Sequence, residues 1–261
     1  MRDVSVLDGA EAISLDAGPD APASIVFCHG FTGTPGSIRP WAEYLHQQGY
    51  HVTAPRLPGH GTRWQDMAVT GWPDWYRALD QAVDAAVRRG KPVFAFGHSM
   101  GGTLVLRLAE QRGGDLAGVV VCNPSLFDKR FTVRYLVPII RRVVRSVGGI
   151  GSDIAKPGAV ETSYPRIPLD ALDSLRKLWR ITTADLPRIT VPLRVFHSAV
   201  DHVVHPDNTR LLLDRISSTD VGDQLLERSF HVAPLDFDAE LLNTGSAEFV
   251  AQRLEAIRSR T

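Results

Sequence analysis

The chain has 261 residues, 44% of them hydrophobic and 22% charged, a balance that suits one globular domain with a sizeable core. Its 29 Lys and Arg offset its 29 Asp and Glu, so it lacks the basic footprint of a nucleic-acid binder. No segment is apolar for long enough to span a bilayer, and Met1-Arg2-Asp3-Val4-Ser5 has none of the apolar character of a signal peptide, so a cytoplasmic location is expected.

Residues 25–28 read as a short buried strand, followed by the glycine-rich His29-Gly30-Phe31-Thr32-Gly33. Ile38, Trp41 and Leu45 recur at helical spacing until Gly49 stops that helix. Residues 51–54 form the next expected strand and 55–61 a loop, after which Trp75, Leu79, Ala82, Val83 and Ala86 make a helical stripe. Residues 93–96 read as strand, 103–111 as helix and 119–122 as strand. The two cysteines, Cys28 and Cys122, each end an apolar run and are read as buried free thiols.

Regular alternation pauses after Asn123. It resumes with a strand at 193–197, a helix at 209–216, a short strand at 224–227 and a closing helix marked by Val250, Leu254 and Ile257. Alternating β and α elements with continuously apolar strands predict an α/β fold, a mostly parallel sheet covered by helices on both faces. Without internal repeats, residues 1–261 are expected to form one domain, and the interval 124–188 is too long for a plain loop and reads as an inserted cap. Within it, Val133, Leu136, Val137, Ile140, Val143, Val144 and Val147 make an apolar face interleaved with Arg134, Arg141, Arg142 and Arg145. Three readings of that face stay open: packing on the sheet, a lid over an acyl pocket, and transient contact of a basic amphipathic helix with a lipid surface.

Gly97-His98-Ser99-Met100-Gly101 stands between a strand and a helix, the context of a nucleophile elbow. A serine hydroxyl needs a base within hydrogen-bond reach, and a sharp strand-to-helix turn lifts it clear of its own backbone. Such a turn leaves no room for neighbouring side chains, which accounts for Gly97 and Gly101. The helix that follows aims N–H groups and its positive end at the place where an oxyanion would form.

On this scaffold the partners follow in the order serine, acid, histidine. His197 falls inside an expected strand, whereas His231 lies in a loop between the last strand and the closing helix, from which a general base can reach down to Ser99. Asp201, in the turn after the strand at 193–197, is the expected carboxylate for His231. Asp207 is its rival, but capping the next helix accounts for it, and Asp236 and Asp238 read as helix-start residues. The oxyanion donors are expected to be the backbone N–H groups of Met100 and Phe31. The chain has nine histidines, yet His29, His60 and His98 lack metal-ligand spacing, and His60 reads as a turn residue bonded to backbone. No dinucleotide or P-loop motif is present, so neither cofactor nor metal is expected.

The set HGFTGTP (29–35), PRLPGHGT (55–62), GHSMGGTL (97–104), DHVV (201–204) and FHVAPLDFD (230–238), with Gly151-Ser152-Asp153, resembles the bacterial carboxylesterases and monoacylglycerol lipases of the α/β-hydrolase fold, the Bacillus-type enzymes in particular. The resemblance implies Ser99, Asp201 and His231 as the triad and Phe31 and Met100 as oxyanion donors. It also puts Glu161 where a polar cap residue binds the glycerol end of the substrate, and Ile150 where a bulky residue narrows the acyl pocket. The activity it implies is hydrolysis of monoacylglycerols or similar small lipophilic esters. Triad chemistry on a thioester, a carbon–carbon bond or in perhydrolysis is an alternative, as is a non-catalytic binding protein on the same shell. Epoxide hydrolases and haloalkane dehalogenases use Asp at the elbow, where this chain has Ser99.

Overall fold

The computed structural model describes residues 5–259, so most of the N-terminal stretch read for a leader lies outside the described residues. Its elements, in order, are β1 (Ile13–Leu15), β2 (Ser24–Cys28), α1 (Arg39–Gln47), β3 (His51–Ala54), α2 (Trp64–Met67), α3 (Trp72–Val87), β4 (Val93–His98), α4 (Met100–Arg112) and β5 (Gly118–Cys122). There follow α5 (Val137–Ile140), β6 (Ser146–Gly148), β7 (Arg166–Pro168), α6 (Leu169–Asp185), β8 (Leu193–Ser198), α7 (Asp207–Arg215), β9 (Val221–Leu226) and α8 (Ala239–Arg258).

A seven-stranded sheet runs in the order β1-β3-β2-β4-β5-β8-β9, all parallel except the edge strand β1. Strands buried on both faces explain why the sequence shows continuous apolar runs there. Alternate residues feed two cores: Val26, Cys28, Ala95, Val119 and Val121 face the layer of α3, α4 and α6, whereas Ile25, Phe27, Phe94, Phe96, Val120 and Cys122 face α1 and α8. The parallel part of the sheet starts at β2, places β3 on one side and then crosses to β4 on the other, so the strand order reverses between β2 and β4. Ligands in such sheets bind at this reversal, beyond the carboxyl ends of the strands.

Three features depart from the sequence expectations. β1 is an additional strand whose three residues are too few for a periodic signal. Within 124–188, α6 lies against α4 and α3 and joins the main core through Leu169, Leu175 and Leu178, while β6 and β7 make a small antiparallel pair. The apolar face from Val133 to Val147 is not one continuous helix. Residues 132–136 wind as a π-type turn, α5 lasts four residues, and the chain then turns into β6. Pro138, in the first turn of α5, has no N–H to return to the π-type turn before it. Val133 and Val137 are buried, whereas Ile139 and Val143 are 63% and 86% exposed, so packing explains only part of that face.

Candidate active site

Ser99 follows β4 with φ 55° and ψ −120°, a left-handed conformation that L-residues adopt only when the surroundings enforce it. Here its N–H donates to the Cys122 carbonyl at 3.0 Å, and its own carbonyl accepts from Thr103 and Ser125 at 3.2 and 3.3 Å. A Cβ on Gly97 would collide with the Gly101 carbonyl, and one on Gly101 with the Cys28 carbonyl. These obstacles are backbone atoms, which cannot move aside without moving the sheet. Glycine at both positions is therefore a steric requirement of the turn.

The structure brings the three expected side chains together. His231 Nε2 lies 2.9 Å from Ser99 Oγ, and His231 Nδ1 lies 2.7 Å from Asp201 Oδ2. Asp201 Oδ1 accepts the N–H groups of Val203 and Val204 at 2.8 and 2.7 Å. An ionised carboxylate only accepts, so Nδ1 carries the ring proton and Nε2 keeps a lone pair for the serine hydroxyl. Ser99 and His231 are 7% and 6% exposed. Burial alone would lower the His231 pKa, but the charge and hydrogen bond of Asp201, with Glu161 and Asp153 further off, outweigh it and hold it above the usual imidazole value. For Asp201 burial acts upward, and His231 with the two amides outweighs it, holding the carboxyl below the usual range.

The loop after β2 faces this group. Gly30 is packed against Ser99, a Cβ there coming within 3.4 Å of Ser99 Cβ. His29, fully buried, donates from Nδ1 to the Gly30 carbonyl at 3.0 Å and accepts the Leu57 N–H on Nε2 at 3.2 Å, fixing the peptide that leads into Phe31. Thr32, with φ 61°, donates its hydroxyl to the Phe31 carbonyl at 2.6 Å. Among the described residues no carbonyl engages the Phe31 or Met100 amides. His60 bonds the Pro58 carbonyl through Nδ1 at 3.1 Å and packs edge-on against His29 and Trp75.

A cleft enclosing about 790 Å³, open solvent included, lies over Ser99. Its lining combines the apolar Ile167, Leu172, Leu175 and Trp179 with the carboxylates of Glu161 and Asp153, and includes Ile150, 45% exposed. Glu161 borders the loop after β2 so closely that a Cβ on Gly33 would come within 2.8 Å of its Oε1. Burial pushes its carboxyl up to about 7, against the opposing influence of His231 and Ser37. Among the described residues no group of three or more His, Cys, Asp or Glu is arranged to hold a metal ion.

Other carboxylates act differently from their sequence reading. Pro206, not Asp207, occupies the position before α7, and Asp207 instead binds Lys129 and, at 2.9 Å, Arg210. Asp238 stands at the start of α8 as read, and its carboxylate accepts the Arg228 N–H at 2.8 Å. Asp236 accepts N–H groups from Ala155, Lys156 and Phe230 at 2.7, 2.9 and 2.9 Å, clipping the segment before Glu161 to the loop of His231. Asp153 adds to that clip, accepting the His202 and His231 N–H groups at 3.1 and 3.2 Å. Sequence reasoning missed Asp153 and Asp236 because each binds backbone far away in the chain, which leaves no local pattern.

Sheet and elbow together make this the α/β-hydrolase fold. The chain belongs to the family described as serine aminopeptidase, S33, which matches residues 19–238. It is 37% identical to a thermostable monoacylglycerol lipase of Bacillus sp. (strain H-257), over 95% of this chain and 96% of that one. It is 24% identical to a carboxylesterase of Bacillus subtilis (strain 168), over 87% of this chain and 92% of that one. Its structure superposes with a TM-score of 0.91 on one from work on LipS and LipT, two metagenome-derived lipolytic enzymes, at 34% identity and covering 95% of this chain and 100% of that one.

Proposed function

We propose that the protein is a serine esterase that hydrolyses monoacylglycerols or similar small lipophilic esters through an acyl-enzyme. The observation that carries this reading is the unbroken line Asp201–His231–Ser99, whose Ser99 and His231 line a cleft with both apolar and acidic side chains in its wall. His231 takes the Ser99 proton as Oγ attacks the ester carbonyl. The Phe31 and Met100 amides receive the oxyanion, a contribution of about 3 kcal/mol for each donor in comparable sites. His231 returns the proton to the leaving alcohol, and water repeats the sequence on the acyl group.

The apolar side chains of Ile167, Leu172, Leu175 and Trp179 suit the acyl chain, and Glu161 suits the alcohol, whose hydroxyls it meets as an acceptor. Part of the 124–188 insertion serves as the cap over this cleft. The exposed Phe131, Ile139 and Val143, with Arg134 and Arg142 near them, support transient contact with a lipid surface, although no helix among the described residues is long and apolar enough to cross a membrane. Cys28 and Cys122, both free and buried, support a cytoplasmic site of action.

Ser99→Ala is expected to abolish turnover of a p-nitrophenyl ester and labelling by a fluorophosphonate probe while the melting temperature stays within a few degrees. Turnover retained by that variant removes Ser99 as nucleophile. Rates on monoacylglycerols, acyl-CoA thioesters and short synthetic esters then rank the substrate classes. Monoacylglycerols as the poorest of the three would overturn the lipase reading and leave the thioesterase alternative.

A further inference from the structure

The general base is gripped by its main chain as well as by its ring. The carbonyl of His231 accepts two side-chain hydrogen bonds, from His98 Nε2 at 2.9 Å and from Asn123 Nδ2 at 2.7 Å. His98 is the last residue of β4 and pairs in register with Cys122 at the end of β5, so the two donors project from adjacent strand ends. Asn123 reaches further along the sheet. Its Nδ2 also donates to Ser198 Oγ at 3.0 Å, its Oδ1 accepts the Ser198 N–H at 2.8 Å, and Ser198 Oγ donates to the Phe230 carbonyl at 2.8 Å. The ends of three neighbouring parallel strands thus hold two consecutive carbonyls of the loop that carries the base.

Every proton in this arrangement has an acceptor. A carbonyl only accepts, so His98 carries its hydrogen on Nε2, and its Nδ1 is the lone-pair nitrogen. His98 is 1% exposed, and burial, with His231 beside it, brings its pKa down to about 3. The ring therefore stays neutral and places no positive charge against the imidazolium that His231 becomes. Asn123 has φ 47°, a conformation Asn tolerates better than most residues, and that conformation goes with an amide turned back over the strand ends.

We propose that His98 and Asn123 are positioning residues that fix the general base through its backbone carbonyl, keeping His231 Nε2 in line with Ser99 Oγ during proton transfer. This rests on the reading of Ser99 and His231 as nucleophile and base. Asp153 and Asp236 hold the N–H groups of His231 and Phe230, and the strand-end donors hold the carbonyls, so the peptide that carries the base is fixed to the sheet as well as to the cap segment. Proton transfer is sensitive to displacement: a shift of about 1 Å in a reacting group typically costs a hundredfold in rate.

His98→Leu keeps the buried volume and removes the donor, whereas His98→Gln restores an N–H near the place of Nε2. With a soluble p-nitrophenyl ester, Leu should lower kcat about fivefold, as expected for loss of one net hydrogen bond, with KM within twofold. Gln should recover most of that loss. Asn123→Gly, which tolerates the positive φ, should lower kcat about tenfold or more, since it also frees Ser198. Because both donors hold one carbonyl, the double variant His98→Leu with Asn123→Gly should fall below the product of the two single effects. Equal rates for Leu and Gln, a loss confined to KM, or strictly multiplicative effects would each overturn the proposal. Fluorophosphonate labelling of wild-type Ser99 reports on the underlying reading separately, because unlabelled Ser99 would overturn nucleophile and base before any question of their positioning.

Discussion

Asp201→Asn exchanges one oxygen for an NH2 group at nearly constant volume, and the surroundings dictate which way the amide turns. Oδ1 lies between two N–H donors, those of Val203 and Val204, at 2.8 and 2.7 Å. An NH2 on that side would confront both donors, so the amide oxygen takes that place and the NH2 faces His231 Nδ1. Nδ1 must then accept, which moves the ring proton to Nε2, 2.9 Å from Ser99 Oγ, where a lone pair is needed. The base is held in position in the wrong tautomer. For this defect the expected loss in kcat is about 10⁴-fold, or about 5 kcal/mol of transition-state stabilisation. KM should change little, because no lining group of the cleft has moved. Initial rates on a p-nitrophenyl ester measure both constants, and circular dichroism checks that the variant melts as a folded protein. A folded variant with kcat within tenfold of wild type would refute the role given to Asp201.

The pH profile is the second test. His231 must be neutral to accept the serine proton, and its pKa is raised, so kcat/KM should fall as pH drops through a midpoint above the ordinary imidazole value near 6.5. An ionised Glu161 stabilises the imidazolium, so Glu161→Gln should move that acid limb to lower pH, and a limb that stays put or moves upward would contradict the electrostatic account. Third, Gly101→Ala drives a methyl group into the Cys28 carbonyl and should cost at least about 2 kcal/mol in urea unfolding, with loss of activity. Gly113→Ala, at φ −52° with no atom within 4 Å of the new Cβ, should be neutral or stabilising by up to about 1 kcal/mol, and equal effects for the two variants would defeat the steric argument.

Legibility differed from one part of the chain to another. The central strands β2, β4 and β5 were visible because each is buried along its whole length and so reads as a largely apolar run. α6 was hidden inside the presumed cap because the sequence registers an interruption of β/α alternation but not which piece of it packs back on the body. The amphipathic stripe from Val133 to Val147 misled because periodicity counts side chains and ignores backbone hydrogen bonding, which here passes from a π-type turn through one short helix to a strand. Asp238 does stand at the start of α8, whereas Asp207 and Asp236 were misread because a carboxylate near a helix start has an ordinary local role available. Only the fold reveals that Asp236 bonds Ala155 and Lys156 instead.

What the amino-acid sequence determined alone was whatever acts over a few residues. The alternation of β and α elements follows from hydrophobic period, and the glycines around Ser99 follow from crowding within one turn. What needed the tertiary structure was every relation between strand ends. His98, Asn123 and Ser198 are separated by long stretches of chain and share a network because parallel pairing puts the ends of β4, β5 and β8 side by side. Hydrogen bonds of that kind act over about 3 Å in space and carry no period along the chain.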